Sequence, residues 1–386
     1  MIADQLSVKD KSFLTTEQYN TFTCLFPNTD LLEIADTLKA NKPLSSHQGI
    51  LLFETSDVYA LAFLANAMRT NYHGKDTWYV INRHINYSNL CQETCLFCSF
   101  SRGTLNTDEA YEMNLETVLK RAEKDVPLGV SEIHIVGGNH PSLPWSYYTT
   151  MLSELNKKFP QVGLKCFTAV EIHHFAKRFN KSYHEILQEL KDCGLSCMPG
   201  GGAEIFSPRV RNKICRTKAT ADQWLEVHRT AHELNIPTNA TMLFGTIETH
   251  KERIDHLIRL RELQDKSGGF LTFIPLVYHN ENNRLSQLDS PGSMEKLRMI
   301  AISRLMLNNF PHIKAYWVMM GISVAMLAQK WGSSDMDGTV IEEKIYHMAG
   351  AKTPQVLTHD NLVSFIRKEG FAPRLRDNLY QELACN

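Results

Sequence analysis

From residue 78 onward, short runs of apolar and β-branched residues alternate with longer stretches whose apolar positions recur every three and four residues. The short runs predict strands at Trp78–Arg83, Glu132–Val136, Leu164–Val170, Leu195–Met198, Thr238–Phe244, Phe270–Leu276 and Ile313–Val318. The stretches between them predict helices at Trp145–Phe159, Tyr183–Asp192, Ala221–Leu234, His250–Lys266 and Met294–Asn309. Strand and helix alternate at intervals of roughly thirty residues, the rhythm of repeated βα units. The expected sheet is therefore parallel, either open or curled into a barrel, with its chemistry in the loops after the strands.

Residues 1–77 read as helical, most clearly at Leu31–Leu38 and Leu51–Thr70, and the tail after Ile341 reads as helical with a break from Gly370 to Pro373. No low-complexity linker or fixed repeat divides the chain. The expected organisation is a helical extension over 1–77, a βα unit over 78–320, and a second extension over 321–386 packed on it.

Composition narrows the function. Of the 386 residues, 43% are hydrophobic and 22% charged, which is enough for a large core. The formal net charge of -1 offers no general positive excess for nucleic acid or an anionic membrane. The amino terminus lacks a secretory pattern, and the longest apolar run, residues 59–68, is about half a membrane span. A cytoplasmic protein is expected. Nine cysteines, three of them between residues 91 and 98, suit a metal site better than a disulfide framework.

Those three, Cys91, Cys95 and Cys98, follow the first predicted strand with CxxxCxxC spacing and with Phe97 just before the third. Soft thiolates favour zinc or iron-sulfur clusters. Structural zinc needs a fourth ligand, for which His84, Cys193 or Cys197 are available, whereas a cubane with three thiolates leaves one iron open for catalysis. Plain core cysteines are the other bland alternative.

The motif in this setting resembles the radical S-adenosylmethionine (SAM) superfamily, over about Trp78 to Val318. The resemblance implies a partial (β/α)6 barrel of the TIM type. It also implies a 4Fe-4S cluster on Cys91, Cys95 and Cys98, and SAM chelated to the fourth iron and cleaved to a 5'-deoxyadenosyl radical. Gly137, Gly138 and Asn139 resemble the Gly-Gly motif that meets the methionine amino group, although Asn139 stands where many members carry glutamate. Glu204, after the glycine-rich Pro199–Ala203, matches a ribose ligand. Arg216 and Lys218 lie where a cation meets the methionine carboxylate, and Gly245 lies near the adenine edge.

Longer stretches, among them residues 137–141, 167–173, 199–206, 224–232 and 336–345, resemble the aminofutalosine synthases of the futalosine route to menaquinone. That likeness implies addition of the radical to 3-[(1-carboxyvinyl)oxy]benzoate, aryl migration and decarboxylation. SAM is then a co-substrate, and a donor such as flavodoxin or ferredoxin supplies the electron. Candidate reaction residues at strand ends are His140, Glu171, Tyr278 and His279, with Arg83, His84 and His173 as further possibilities; each could instead cap a strand or pair with a structural acid. Dehypoxanthine futalosine cyclase is the nearest alternative, and a non-catalytic iron-sulfur or zinc scaffold is the alternative from another class.

Overall fold

The computed structural model describes residues 8, 11–103 and 109–384. It contains ten strands: β1 Asp76–Val80, β2 Asn82–Ile85, β3 Glu132–Ile135, β4 Gly163–Cys166, β5 Leu195–Cys197, β6 Thr238–Phe244, β7 Phe270–Val277, β8 His312–Ile313, β9 Asp335–Gly338 and β10 Ala372–Arg376. All paired strands run parallel, in the orders β2-β3-β4-β5, β6-β7-β8 and β10-β1-β9. Single parallel bridges continue the pairing between these groups: Met198 with Thr238, Lys314 with Asp335, and Arg83 with Ile341. Strands β2 to β7 thus supply the six βα units expected, and β8 and β9 extend the same parallel arrangement.

Local chemistry explains most boundaries. The helices Ala169–Phe179, Tyr183–Asp192, Ala221–Glu233 and His250–Ser267 each open on a capping box, with Thr168, Ser182, Thr220 and Thr249 bonding the backbone three residues on. Every residue of β6 is buried, as a parallel strand covered on both faces requires.

Four expectations shift. The predicted strand Trp78–Arg83 breaks at Ile81, so that β1 pairs outward with β9 and β10 while β2 enters the main array. Leu164–Val170 stops at Cys166 because Thr168 caps a helix, and Ile313–Val318 shortens to β8 with a helix at Trp317–Met320. Short apolar runs do not separate buried strand from buried helix. The tail after Ile341 is not all helix, since β10 pairs in register with β1 from Asp76–Ala372 to Val80–Arg376. β9 escaped detection because two of its four residues are aspartates, buried here against Lys314 and Arg376.

The amino-terminal helices Ser46–Glu54 and Val58–His73 pack on His250–Ser267 and Ser293–Met306. Arg298 ties them down by donating to the carbonyls of Leu52, Phe53 and Thr55.

Candidate active site

A single cavity collects side chains from the carboxyl ends of the strands and from the strands themselves. The loop after β2 brings Cys91, Cys95, Phe97 and Cys98 to its wall. Backbone amides meet two of the sulfurs: Asn139 N–H donates to Cys91 Sγ at 3.3 Å and Ser101 N–H to Cys98 Sγ at 3.4 Å. Leu96 N–H donates to the Ile214 carbonyl at 2.8 Å, pinning the loop's middle. Burial pushes the Cys91 and Cys95 thiols above their ordinary range. Bound iron would reverse that, because a metal's positive charge favours the thiolate over the thiol. Among the described residues, no three His, Cys, Asp or Glu side chains gather closely enough to hold one metal ion.

Gly137 and Gly138 close this side of the cavity. A Cβ on Gly138 would lie 2.1 Å from the Leu90 carbonyl oxygen and 2.8 Å from Cys91 Cβ, so only glycine lets the two loops touch. A Cβ on Gly137 would meet the Tyr87 ring at 2.5 Å. Glu171 sets this pair in place: one carboxylate oxygen accepts from Gly137 N–H and from the Tyr87 hydroxyl, both at 3.0 Å, and the other from Thr168 N–H at 2.7 Å and its hydroxyl at 2.9 Å. Burial drives the Glu171 carboxyl up to about 7 despite those four donors. On the opposite side Glu204 is held in left-handed backbone at φ 46° after three glycines, and its carboxylate accepts from Lys218 Nζ at 2.6 Å. The Lys218 ammonium also lies 5.3 Å from the centre of the Phe97 ring.

Comparison with known proteins accounts for this arrangement. Residues 85–260 match the Radical SAM superfamily, and residues 267–385 match the CofH/MqnC C-terminal region. An aminodeoxyfutalosine synthase of Thermus thermophilus is 44% identical over 92% of this chain and 96% of its own length. The chain belongs to the radical SAM superfamily. A cyclic dehypoxanthine futalosine synthase of Streptomyces coelicolor is 34% identical over 92% of this chain and 90% of its own length. In fold, the chain resembles the crystal structure of HydG, a maturase of the [FeFe]-hydrogenase, with a TM-score of 0.72 at 14% identity over 94% of this chain and 80% of that one.

A radical SAM enzyme uses a 4Fe-4S cluster and SAM, and the three thiols, the glycine pair and the Glu204–Lys218 pair line one cavity. The remaining sequence candidates divide in this radical SAM fold. Tyr278 and His279 reach the cavity, but the Tyr278 hydroxyl donates to the Leu285 carbonyl at 2.8 Å and His279 Nε2 lies 2.9 Å from the Met319 carbonyl. His140 lies outside the wall: its Nδ1 accepts from Ser142 and Leu143 N–H, and its Nε2 lies 2.6 Å from Glu112. Arg216 is exposed, and Gly245 turns away at φ 94° with its N–H on Glu248. Arg83 pairs with Asp125 and Glu342, and His173 with the Tyr183 hydroxyl, while His84 faces the cavity. Sequence reasoning missed His134, Lys165, Asn239, Lys314, Tyr316 and Asp337, all on the cavity wall. For all but Asp337 the signal was present, as polar residues inside runs of strand character. No helix is long and apolar enough to cross a membrane among the described residues.

Proposed function

We propose that this enzyme is an aminofutalosine synthase, joining the adenosyl group of SAM to the enolpyruvyl carbon of 3-[(1-carboxyvinyl)oxy]benzoate, with aryl migration and loss of carbon dioxide, to give 6-amino-6-deoxyfutalosine. The observation that carries it is the 44% identity to a synthase across nearly the full length of both chains, against 34% to the cyclase.

Cys91, Cys95 and Cys98 would hold the cluster, which when bound would supply the electron, drawn from a small reductant such as flavodoxin or ferredoxin, for reductive cleavage of SAM. Gly137, Gly138 and Asn139 present a bare backbone edge to the methionine amino group. Asn139 donates its side-chain N–H to Glu93 at 2.9 Å, which fixes the orientation of the amide. Glu204, oriented by Lys218, accepts from the ribose hydroxyls. Glu171 acts as a positioning residue, because its oxygens are committed to the Gly137 edge and the helix start. The enclosed wall brings an alkene against the radical carbon and keeps other hydrogen donors back.

The test is anaerobic turnover with SAM labelled in its ribose. Label is expected in an aryl ketone product, with one methionine and one carbon dioxide per product and only a trace of free 5'-deoxyadenosine. Stoichiometric 5'-deoxyadenosine beside an unlabelled product would overturn the synthase reading in favour of hydrogen abstraction, as the cyclase alternative requires.

A further inference from the structure

Parallel barrels ordinarily fill their centre with layers of branched apolar side chains. This one does not. His84 of β2, His134 of β3, Lys165 of β4 and Asn239 of β6 face the cavity from the strands, and Lys314, directly after β8, joins them. Each precedes its own strand's loop, so in a parallel array they lie beneath the level of Cys91, Gly138 and Glu204. His84 and His134 stack with ring centres 4.5 Å apart at 11°.

Both ammonium groups are buried and under-bonded. Lys165, its side chain 4% exposed, donates to Glu132 alone. Lys314, 1% exposed, donates to Asp337 Oδ2 at 3.2 Å, with Asp335 Oδ1 at 3.9 Å beyond hydrogen-bond reach. An ammonium carries three donors. Two N–H groups of each lysine therefore lack an acceptor among the described residues. Buried polar groups in folded proteins are almost always paired, so these donors await an acceptor that the chain does not provide.

We propose that this floor is the subsite for the ring carboxylate of an aryl substrate, with Lys165 and Lys314 as its cations. The assignment rests on the synthase reading for the identity of the substrate. In 3-[(1-carboxyvinyl)oxy]benzoate the alkene and its own carboxylate occupy one end and the ring carboxylate the other. The alkene must meet the radical carbon at the level of the loops, which sends the ring carboxylate down toward the strands. There the two lysines keep their bonds to Glu132 and Asp337 and add charge-assisted bonds to the ligand with their free N–H groups.

The experiment titrates the cluster-loaded protein, with SAM present, using the benzoate and the same enolpyruvyl phenyl ether lacking the ring carboxylate. Wild type is expected to bind the benzoate at least about 100-fold more tightly, since a site built to bond a group rejects the analogue without it. The paired variant Lys314→Met/Asp337→Asn removes cation and counter-charge together, so no unpaired charge is left buried. It should lose at least about tenfold in benzoate affinity while its affinities for SAM and for the carboxyl-free ether stay within about threefold. Equal binding of the two ethers by wild type would overturn the subsite, as would unchanged benzoate affinity in a variant that still binds SAM. If the variant fails to fold, the wild-type comparison decides alone. Wild type that prefers the benzoate yet forms no labelled product would sink the synthase reading and keep the subsite; labelled product without that preference would do the reverse.

Discussion

Cys91, Cys95 and Cys98 share a cavity wall, whereas Cys193, Cys166, Cys197 and Cys215 do not reach it. Hard oxygen poorly replaces thiolate at iron, and only three protein thiolates serve the cluster. Cys95→Ser is therefore expected to abolish cluster absorbance, bound iron and turnover, while half-buried Cys193→Ser retains all three. Iron and sulfide analysis after anaerobic reconstitution checks both, and full cluster content in Cys95→Ser would refute the ligand assignment. These cysteines were legible because their spacing is local. Glu171 stands out in the sequence, but its bonds to Tyr87 and Gly137 do not, since those partners come from two other strands' loops.

At the level of elements, the site depends on how closely the loops after β2 and β3 approach. Gly138 N–H donates to the Ser88 carbonyl at 2.9 Å, and Gln92 N–H to the Asn139 carbonyl at 3.1 Å, so the two loops are laced by backbone. An added methyl on Gly138 must displace the Leu90 carbonyl and with it Cys91. Gly138→Ala is expected to fold, yet to lose at least about tenfold in SAM affinity, by analogy with the cost of disturbing groups that orient metal ligands. Gly103→Ala, whose Cβ would meet nothing within 4 Å among the described residues, should match wild type. Equilibrium binding of SAM to the two variants separates them, and wild-type affinity in Gly138→Ala would argue against close approach at this point.

Across the whole molecule, β10 is locked by a buried ionic cluster. Arg376, 1% exposed, donates from Nε to Asp335 Oδ2 at 2.8 Å and lies 3.9 Å from Glu132. Arg376→Met leaves Asp335 and Glu132 short of a counter-charge and is expected to cost about 3–5 kcal/mol of stability, read as a lower urea midpoint. A second global property follows from buried histidines. Burial holds His232 and His256 at about 3, against about 6.5 in an unfolded chain. His256 illustrates the neutral form: Nδ1 accepts from Phe206 N–H at 3.2 Å and Nε2 donates to the Thr241 carbonyl at 2.9 Å. The unfolded chain binds more protons between the two values, so this stability is complete above about pH 6.5 and drains as pH falls, by up to about 1.4 kcal/mol per unit for each histidine. His256→Gln should flatten the slope of unfolding free energy between pH 6.5 and 5 by about one histidine's share, and an unchanged slope would show that His256 takes up its proton while folded.

What the sequence determined by itself is whatever a short window encodes. The alternation of strand and helix, the CxxxCxxC spacing with its neighbouring glycines, and the capping boxes all follow from periodicity or local bonding. The tertiary structure decided which polar strand residues turn inward and what their charges meet. β9, with Asp335 and Asp337, reads as loop until Lys314 and Arg376 arrive to neutralise it, and β10 exists only because β1, about 300 residues earlier, offers it a parallel edge. Lys165 and Lys314 likewise look like solvated charges in sequence. They become part of the site because parallel pairing turns both toward one cavity, where water no longer competes for their free donors.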